Sequence, residues 1–427
     1  MKQQAQKILI ISLSGIGDLI LFTPAIPLLR KRFPEAEISL LVKKKEAAKV
    51  LKGNPYIDKI IVFDPQKASI KENILFYFSM RKRKYDISLS TFPAMTFLNN
   101  LSTFAIGARK RWVYKTDHPL LSFDFLQNRR IPYQHGKHRI DYNLALVKAL
   151  AREQESGSEK KPGTEDPIEL ETNPLDQVYI YGRGHAGCGS SGDGNNGNNG
   201  NNGIHGNKRN SRKYGSNGNG RGNGSDGRDE RYGNYQKGQS GQILLRLGAD
   251  PLELFIGIHA GSGDNQPFKR WGEEKFALLA DKIQKEFPFR VILLGGPEEE
   301  ELSRRVARHM ATTPPVIAAG RTCIEETLAL ISRCELLISN DSGVMNMAFA
   351  LRKKILAIFG PTDDTCTRPL GKNDVVILKE FPCKPACRKR YLYSKECNFG
   401  YRCLKELSVD EVWNVARGVL ESMVRQE

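Results

Sequence analysis

Asp341, Ser342 and Gly343 bring together three features that suit an anionic, hydroxylated ligand. They lie in ISNDSGVMNMAFALRKKILAIFGPT, residues 338–362, which reads as strand, tight turn, helix, strand and turn. At the start of that helix the first backbone N–H groups lack intrahelical partners, and the helix dipole favours negative charge. A carboxylate, a hydroxyl and a backbone free of side chain at such a point can hold a phosphorylated, hydroxyl-rich molecule such as a nucleotide sugar.

Three more strand-to-helix turns offer candidate chemistry. The first strand runs into Ser14-Gly15-Ile16-Gly17-Asp18. Two glycines allow a tight turn, but a dinucleotide fingerprint needs a third near residue 20, where Ile20 stands, so a nicotinamide site is not expected. Asp18 reads either as a helix N-cap or as a general base facing a cleft. His259-Ala260-Gly261-Ser262-Gly263 precedes Pro267-Phe268-Lys269-Arg270-Trp271. The glycines could bring N–H groups close to phosphate and Lys269 or Arg270 could neutralise it, or this is an ordinary loop with a solvated basic pair. Gly295-Gly296-Pro297-Glu298-Glu299 puts carboxylates at a helix start, where the dipole favours them and a ribose diol could be bound.

Alternating apolar bursts and helical periodicity must position these turns. Strands are expected at residues 7–13, 38–42, 57–63 and 85–90, with helices at 18–33, 44–51 and 70–82 between them. Beyond residue 90 the pattern gives no further element before a low-complexity stretch. It resumes with strands at 255–259, 290–294, 316–319, 336–339 and 354–359 and helices at 273–287, 298–310 and 324–332. A last helix starts at Ser408, with Glu411 three residues on as a capping box. This alternation predicts two α/β domains with parallel sheets, whose ligands sit beyond the carboxyl ends of the strands.

The two halves are separated by residues 151–243. Within 182–241 lie 19 of the chain's 39 glycines, with GNNGNNGNNG at the centre. Such a segment cannot bury enough apolar surface to offset the entropy of ordering, so disorder is expected. The net charge of +17 is uneven: residues 1–150 hold 26 Lys and Arg against 11 Asp and Glu, a balance of +15. That excess points to an anionic partner or to solubility alone. The apolar run from Ile8 to Leu29 is interrupted by Asp18, glycines and prolines, so neither a membrane span nor a signal peptide is expected, and the setting reads as cytoplasmic.

Four of eight cysteines cluster as C-x3-C-x9-C-x5-C: Cys383, Cys387, Cys397 and Cys403. They are a candidate structural zinc site, with free or paired thiols as the alternative, since the spacing fits no standard finger. Packing is the expectation for the scattered Cys188, Cys323, Cys334 and Cys366.

Together the stretches KILIISLSGIGDLILFTPAIPLLRKRFP, HAGSGDNQPFKRW, LLGGPEEEE, NDSGVMNMAFAL and FGPT resemble glycosyltransferase family 9, the ADP-heptose:lipopolysaccharide heptosyltransferase group. The resemblance implies a GT-B architecture: two Rossmann-like, doubly wound domains around an interdomain cleft, joined here by the disordered Gly/Asn-rich insertion. It implies an acceptor-binding domain at 1–150 and a nucleotide-sugar domain at 244–407 that includes the Cys-rich segment 383–403. A C-terminal helix at 408–427 could cross back to the first domain. Residue by residue it implies Asp18 as catalytic base beside an acceptor-side loop of Ser14, Gly15 and Gly17. It implies a donor site of Lys269, Glu299 (with Glu298 as the alternative alignment), Asp341, Ser342, Gly343, Val344 and Asn346, with Gly261, Ser262 and Gly263 as a phosphate loop. The family pattern DSGxxH has a histidine where Asn346 stands, and asparagine cannot carry an imidazolium charge.

The expected function is inverting transfer of a sugar, heptose from ADP-heptose in the leading reading, to a lipopolysaccharide core or related glycolipid. No catalytic cofactor is expected. The partners expected are an ADP-linked donor and an anionic glycolipid at the inner face of the inner membrane, with no nucleic acid. The alternatives are a family 9 transferase with another donor or acceptor, and a nucleic-acid binder using the basic surface and the Arg/Gly-rich insertion, for which no recognition fingerprint is present.

Overall fold

The computed structural model describes residues 6–93, 96–116, 119–134, 136–155, 238, 240–263, 266–384 and 397–425. Two six-stranded parallel sheets organise them. The first contains β1 (Lys7–Ser12), β2 (Glu37–Val42), β3 (Lys59–Val62), β4 (Ile87–Ser90), β5 (Lys110–Tyr114) and β6 (Arg129–Ile131), in the order β3-β2-β1-β4-β5-β6. The second contains β7 (Leu254–His259), β8 (Phe289–Leu293), β9 (Val316–Ile317), β10 (Cys334–Asn340), β11 (Lys354–Phe359) and β12 (Val375–Leu378), in the order β12-β11-β10-β7-β8-β9. Counted from its own first strand, each sheet has the same doubly wound order. The strand order reverses between β1 and β4 in one and between β7 and β10 in the other, which is where such sheets bind ligands.

Parallel strands are covered on both faces, so they read as unbroken apolar runs. In β1, Ile8 and Ile10 join one core cluster and Leu9 and Ile11 another, on opposite sides of the sheet. The first side carries α1 (Ile16–Phe22), α2 (Ala25–Arg32), α3 (Lys45–Val50) and α7 (Arg139–Glu155). The second carries α4 (Ile70–Lys82) and α5 (Phe97–Ile106), and α6 (Pro119–Ser122) adjoins α5. The second domain adds α8 (Glu273–Glu286), α9 (Glu300–His309), α10 (Ile324–Arg333), α11 (Gly343–Ala350), α12 (Asp364–Thr367), α13 (Arg402–Lys405) and α14 (Val409–Val424).

Several expectations need correction. The single helix expected at 18–33 is two, broken at Thr23–Pro24, because proline lacks the N–H that would continue the ladder. The Thr23 hydroxyl donates to the Ile20 carbonyl at 2.7 Å at the break. Residues 91–150, read as featureless, contain α5, β5, α6, β6 and most of α7. The 151–243 segment is shorter than expected: 151–155 finish α7, and at the other end 240–246 are helical with Ile243 and Leu244 buried. The low-complexity core at 156–237 lies outside the described residues. The C-terminal helix α14 lies along α8, with Val412, Trp413, Ala416 and Leu420 in the second domain's core. Its capping box is formed as expected, Glu411 N–H donating to Ser408 Oγ at 3.1 Å and Ser408 N–H to Glu411 Oε2 at 2.7 Å.

Candidate active site

The domains meet where two helices begin. α1 packs on α11, and a Cβ built on Gly17 would lie 3.2 Å from Gly343 Cα and 2.6 Å from Asn346 Nδ2. Glycine is required at 17 because the backbones approach too closely for a side chain. Asp18 follows Gly17 directly and so stands beside the junction of α1 with α11.

Asp18 is held by Arg139, the first residue of α7, whose Nη1 donates to Asp18 Oδ1. Both side chains are largely buried, at 17% and 10% exposure. Arg139 also acts across the junction, where its charge helps to lower the pKa of Asp341. The guanidinium thus binds a first-domain carboxylate while its charge is felt by a second-domain one.

On the second-domain side, the 3-10 turn Pro267–Lys269 delivers Lys269, whose Nζ donates to Asp341 Oδ2 at 2.8 Å. Each side chain is only 6% exposed. Burial acts to raise the Asp341 carboxyl, but the Lys269 ammonium and its hydrogen bond, with Arg139, outweigh it and the net shift is downward. Thr367 Oγ1 donates to the other oxygen at 3.2 Å.

Below this pair lies a second buried network. Glu299 Oε2 accepts from His259 Nε2 at 2.9 Å and from Gly296 N–H at 3.1 Å, and Oε1 accepts from Gly263 N–H at 3.1 Å. On its other side the imidazole's Nδ1 hydrogen-bonds with the Ser342 hydroxyl at 2.9 Å. Burial alone would raise the Glu299 carboxyl; His259 and the two N–H donors outweigh it and bring it down to about 2. Ser342 also caps α11, accepting from Met345 N–H at 3.3 Å. Asn340 fixes the register of the whole site: its amide donates to the carbonyls of Ala260 and Gly261, and its Oδ1 accepts from Trp271 N–H at 3.1 Å.

The expected residues of the second domain are therefore gathered. The Gly261–Gly263 turn is closed on Glu299 rather than open toward a phosphate. A Cβ at Gly261 would overlap Glu299 Oε1, and the Gly263 N–H already points at that carboxylate. Glu299 in turn has three of its roughly four acceptor sites filled in this arrangement, and Glu298, one residue earlier, is exposed. Ser262 is buried and donates to the Gln266 carbonyl at 2.6 Å. Gly15 is exposed beside Asp18, Ser14 is half-buried with its Oγ unpartnered among the described residues, and Val344 is buried in the first turn of α11. Asn346 is 5% exposed and its Oδ1 has no hydrogen-bond partner among the described residues.

Arg139, His259 and Asn340 were not legible as site residues. Arg139 is 121 residues from Asp18, and no local spacing joins them. His138, beside it, ties the domains directly: Nε2 donates to the Arg368 carbonyl at 3.0 Å. Burial drives its pKa from 6.5 down to about 4, so it is a neutral link.

The cysteine cluster is only partly visible. Cys383, Cys397 and Cys403 are described and Cys387 is not; among the described residues no three metal-ligating side chains converge. Cys334 and Cys366 are buried as expected, whereas Cys323 is disulfide-bonded rather than a packing residue.

The family model for glycosyltransferase family 9 (heptosyltransferase) matches residues 250–396. Among curated proteins, lipooligosaccharide heptosyltransferase 2 of Haemophilus ducreyi is 34% identical over 116 residues, 26% of this chain and 33% of that protein. The chain thus aligns with about a third of that relative's length. Among solved structures, the E. coli ADP-heptose lps heptosyltransferase II superposes with a TM-score of 0.64 at 18% identity, covering 98% of this chain and 99% of that one. The family 9 glycosyl transferase from Veillonella parvula superposes with the same TM-score at 20% identity, covering 99% of each. The glycosyltransferase family 9 likeness thus lies in residues 250–396, within the second domain, and the two domains together have the GT-B architecture of those structures.

Proposed function

We propose that this chain is an inverting glycosyltransferase that moves heptose from ADP-heptose to a lipopolysaccharide core or related glycolipid, at the cytoplasmic side of the membrane that carries the acceptor. The observation that carries this reading is the confrontation at the domain junction: Asp18 from one side, the Lys269–Asp341 pair from the other, and Arg139 bound to the first with its charge felt by the second. The heptosyltransferase relatives support the choice of donor and acceptor.

In this mechanism the acceptor hydroxyl attacks the anomeric carbon on the side opposite the diphosphate. The new C–O bond forms as the bond to the diphosphate breaks, and the hydroxyl proton passes to Asp18. The negative charge that appears on the leaving group faces Lys269 and the start of α11, where Gly343 and Val344 present backbone N–H groups. A diphosphate also gives Arg139 a second anion to bind, which loosens its hold on Asp18 as the donor arrives. No residue of this scheme calls for a catalytic cofactor.

Asp18→Ala tests it: transfer falls by about 10²–10⁴-fold, the usual worth of a general base, while donor affinity is kept. Unchanged turnover removes Asp18 from the mechanism. A thermal-shift series with ADP-, UDP- and GDP-linked sugars tests the donor, since a ligand of the native state raises apparent stability; the ADP-linked sugar is expected to stabilise most. A family 9 activity on another sugar is the second reading. It is favoured by Asn346, whose buried, unpartnered Oδ1 can accept a hydrogen bond where the family pattern has a histidine.

A further inference from the structure

The α4–α5 layer covers the side of the first sheet away from the domain junction, which is built by α1 and α3 against α11 and α10. Its outer face is apolar. Ile70, Ile74 and Phe78 on α4 and Phe97, Leu101 and Phe104 on α5 are between 39% and 81% exposed. Both sets recur at three- and four-residue spacing, so each helix turns one apolar stripe outward. Between the helices lies a groove of about 470 Å³. Apolar surface gathered in this way marks an interaction site rather than scattered exposure.

Charge identifies the occupant. From Lys67 to Lys84 there are six cations and one acid, Glu72. Lys71, Arg81, Lys82, Arg83 and Lys84 have no carboxylate partner among the described residues. Two cations lie on the apolar stripes themselves: the Lys82 ammonium is 4.5 Å from the Phe78 ring centre and the Arg111 guanidinium 5.5 Å from that of Phe104. Arg81 packs against Gly107 close by, and its like charge adds to burial in lowering the Arg111 pKa. Aromatic and aliphatic groups ringed by uncompensated cations suit an interface that is apolar within and anionic at its surface. A second copy would bring the same cations face to face.

We propose that the α4–α5 face docks on an anionic lipid bilayer, its apolar stripes entering the acyl boundary and Lys71, Arg81 and Lys82 meeting the lipid phosphates. Phe97 begins α5 just after the carboxyl end of β4, the edge of the sheet that also carries Asp18. Docking therefore brings the rim of the cleft to the membrane, where a lipid-anchored acceptor would be. That last link rests on the transferase reading; the docking does not.

Flotation of the full chain with vesicles of equal parts phosphatidylglycerol and phosphatidylcholine is the test. The protein should float with them at low salt, be released as salt rises, and stay behind with phosphatidylcholine alone. Lys82→Glu should weaken partitioning by about fivefold or more, and Phe78→Ser with Phe104→Ser by about tenfold. The unfolding midpoint should not move for Lys82→Glu and should fall only slightly for the phenylalanine changes, because Phe78 and Phe104 are about half exposed. Asp18→Ala should float like the parent, and the Phe78 and Phe104 variants should retain transfer to a soluble short-chain acceptor, so failure of docking and failure of the transferase reading give different results. The proposal is overturned if the parent stays in the aqueous layer with anionic vesicles. It is equally overturned if the variants float as well as the parent, or if the substitutions instead convert a dimer to a monomer in sedimentation.

Discussion

The two domains share one strand order and place their candidate residues at the same topological point, yet they prepare those points differently. The second domain's site is dense and closed: Lys269, Asp341, His259, Glu299 and Ser342 are all at least nine-tenths buried and bound to one another. The first domain offers a single pair, Asp18 with Arg139, beside an exposed turn. A fixed, pre-formed cradle suits a small charged ligand. A sparse site beside an exposed turn suits a bulky one that must enter from outside. The same fold can thus divide recognition from access between its halves.

Substitutions can break that contrast, and the largest effect should come from Lys269→Met. It strands the Asp341 carboxylate without its ammonium, and breaking a buried pair in this way costs about 3–5 kcal/mol; urea denaturation should show a clear loss of stability. Glu299→Gln should cost about 2 kcal/mol, since a charge-assisted acceptor of three donors becomes a neutral amide whose NH₂ faces a backbone N–H. The Asp18→Asn change, which keeps a neutral acceptor for the largely buried Arg139, should cost about 1.5–2 kcal/mol by the same assay. A loss as large as that for Lys269→Met would erase the distinction between the halves.

Acid sharpens the contrast in another way. His138 is neutral when folded, with a pKa of about 4 against 6.5 for the free side chain. The unfolded chain therefore binds the extra proton first. Its stabilising contribution is complete above about pH 6.5 and is lost as pH falls toward 4, roughly 2 kcal/mol having gone near pH 5. Glu299 behaves differently: with a folded pKa of about 2 against 4.5, it contributes fully above 4.5 and is lost only as pH falls through about 2. Denaturation midpoints followed from neutral to pH 5 should fall for the parent and fall less for His138→Gln. Equal slopes for the two proteins would remove His138 as the acid-sensitive link between domains.

Where a local rule sufficed, the fold was legible. The α4 helix runs over the residues its periodicity assigns, started by Ser69 and Glu72 in a capping box, and α14 starts where Ser408 and Glu411 place it. Where tertiary contact overrides local preference, it was not. The strand β5, KRWVY, opens with two cations, and β6 has three residues. α5 contains two asparagines, a serine and a threonine that favour turns over helix interiors, yet its Asn100 and Thr103 are buried and bound to neighbouring groups. The site divides in the same way. Asp18, Lys269 and Asp341 follow strand ends that the apolar pattern marks, whereas Arg139 finds Asp18 only because α7 returns across α1. The glycines at 261 and 263 were visible, but their partner was not: Gly263 N–H donates to a carboxylate 36 residues on, and a Cβ at Gly261 would meet the same carboxylate.

The Lys269–Asp341 pair has a consequence for selectivity. Because the ammonium already holds an anion, a newcomer has to outcompete a tethered carboxylate for it. In the proposed reaction a diphosphate, with several negative oxygens, would make that exchange more favourably than chloride or a lone monovalent acid, and the resident aspartate would then act as a threshold.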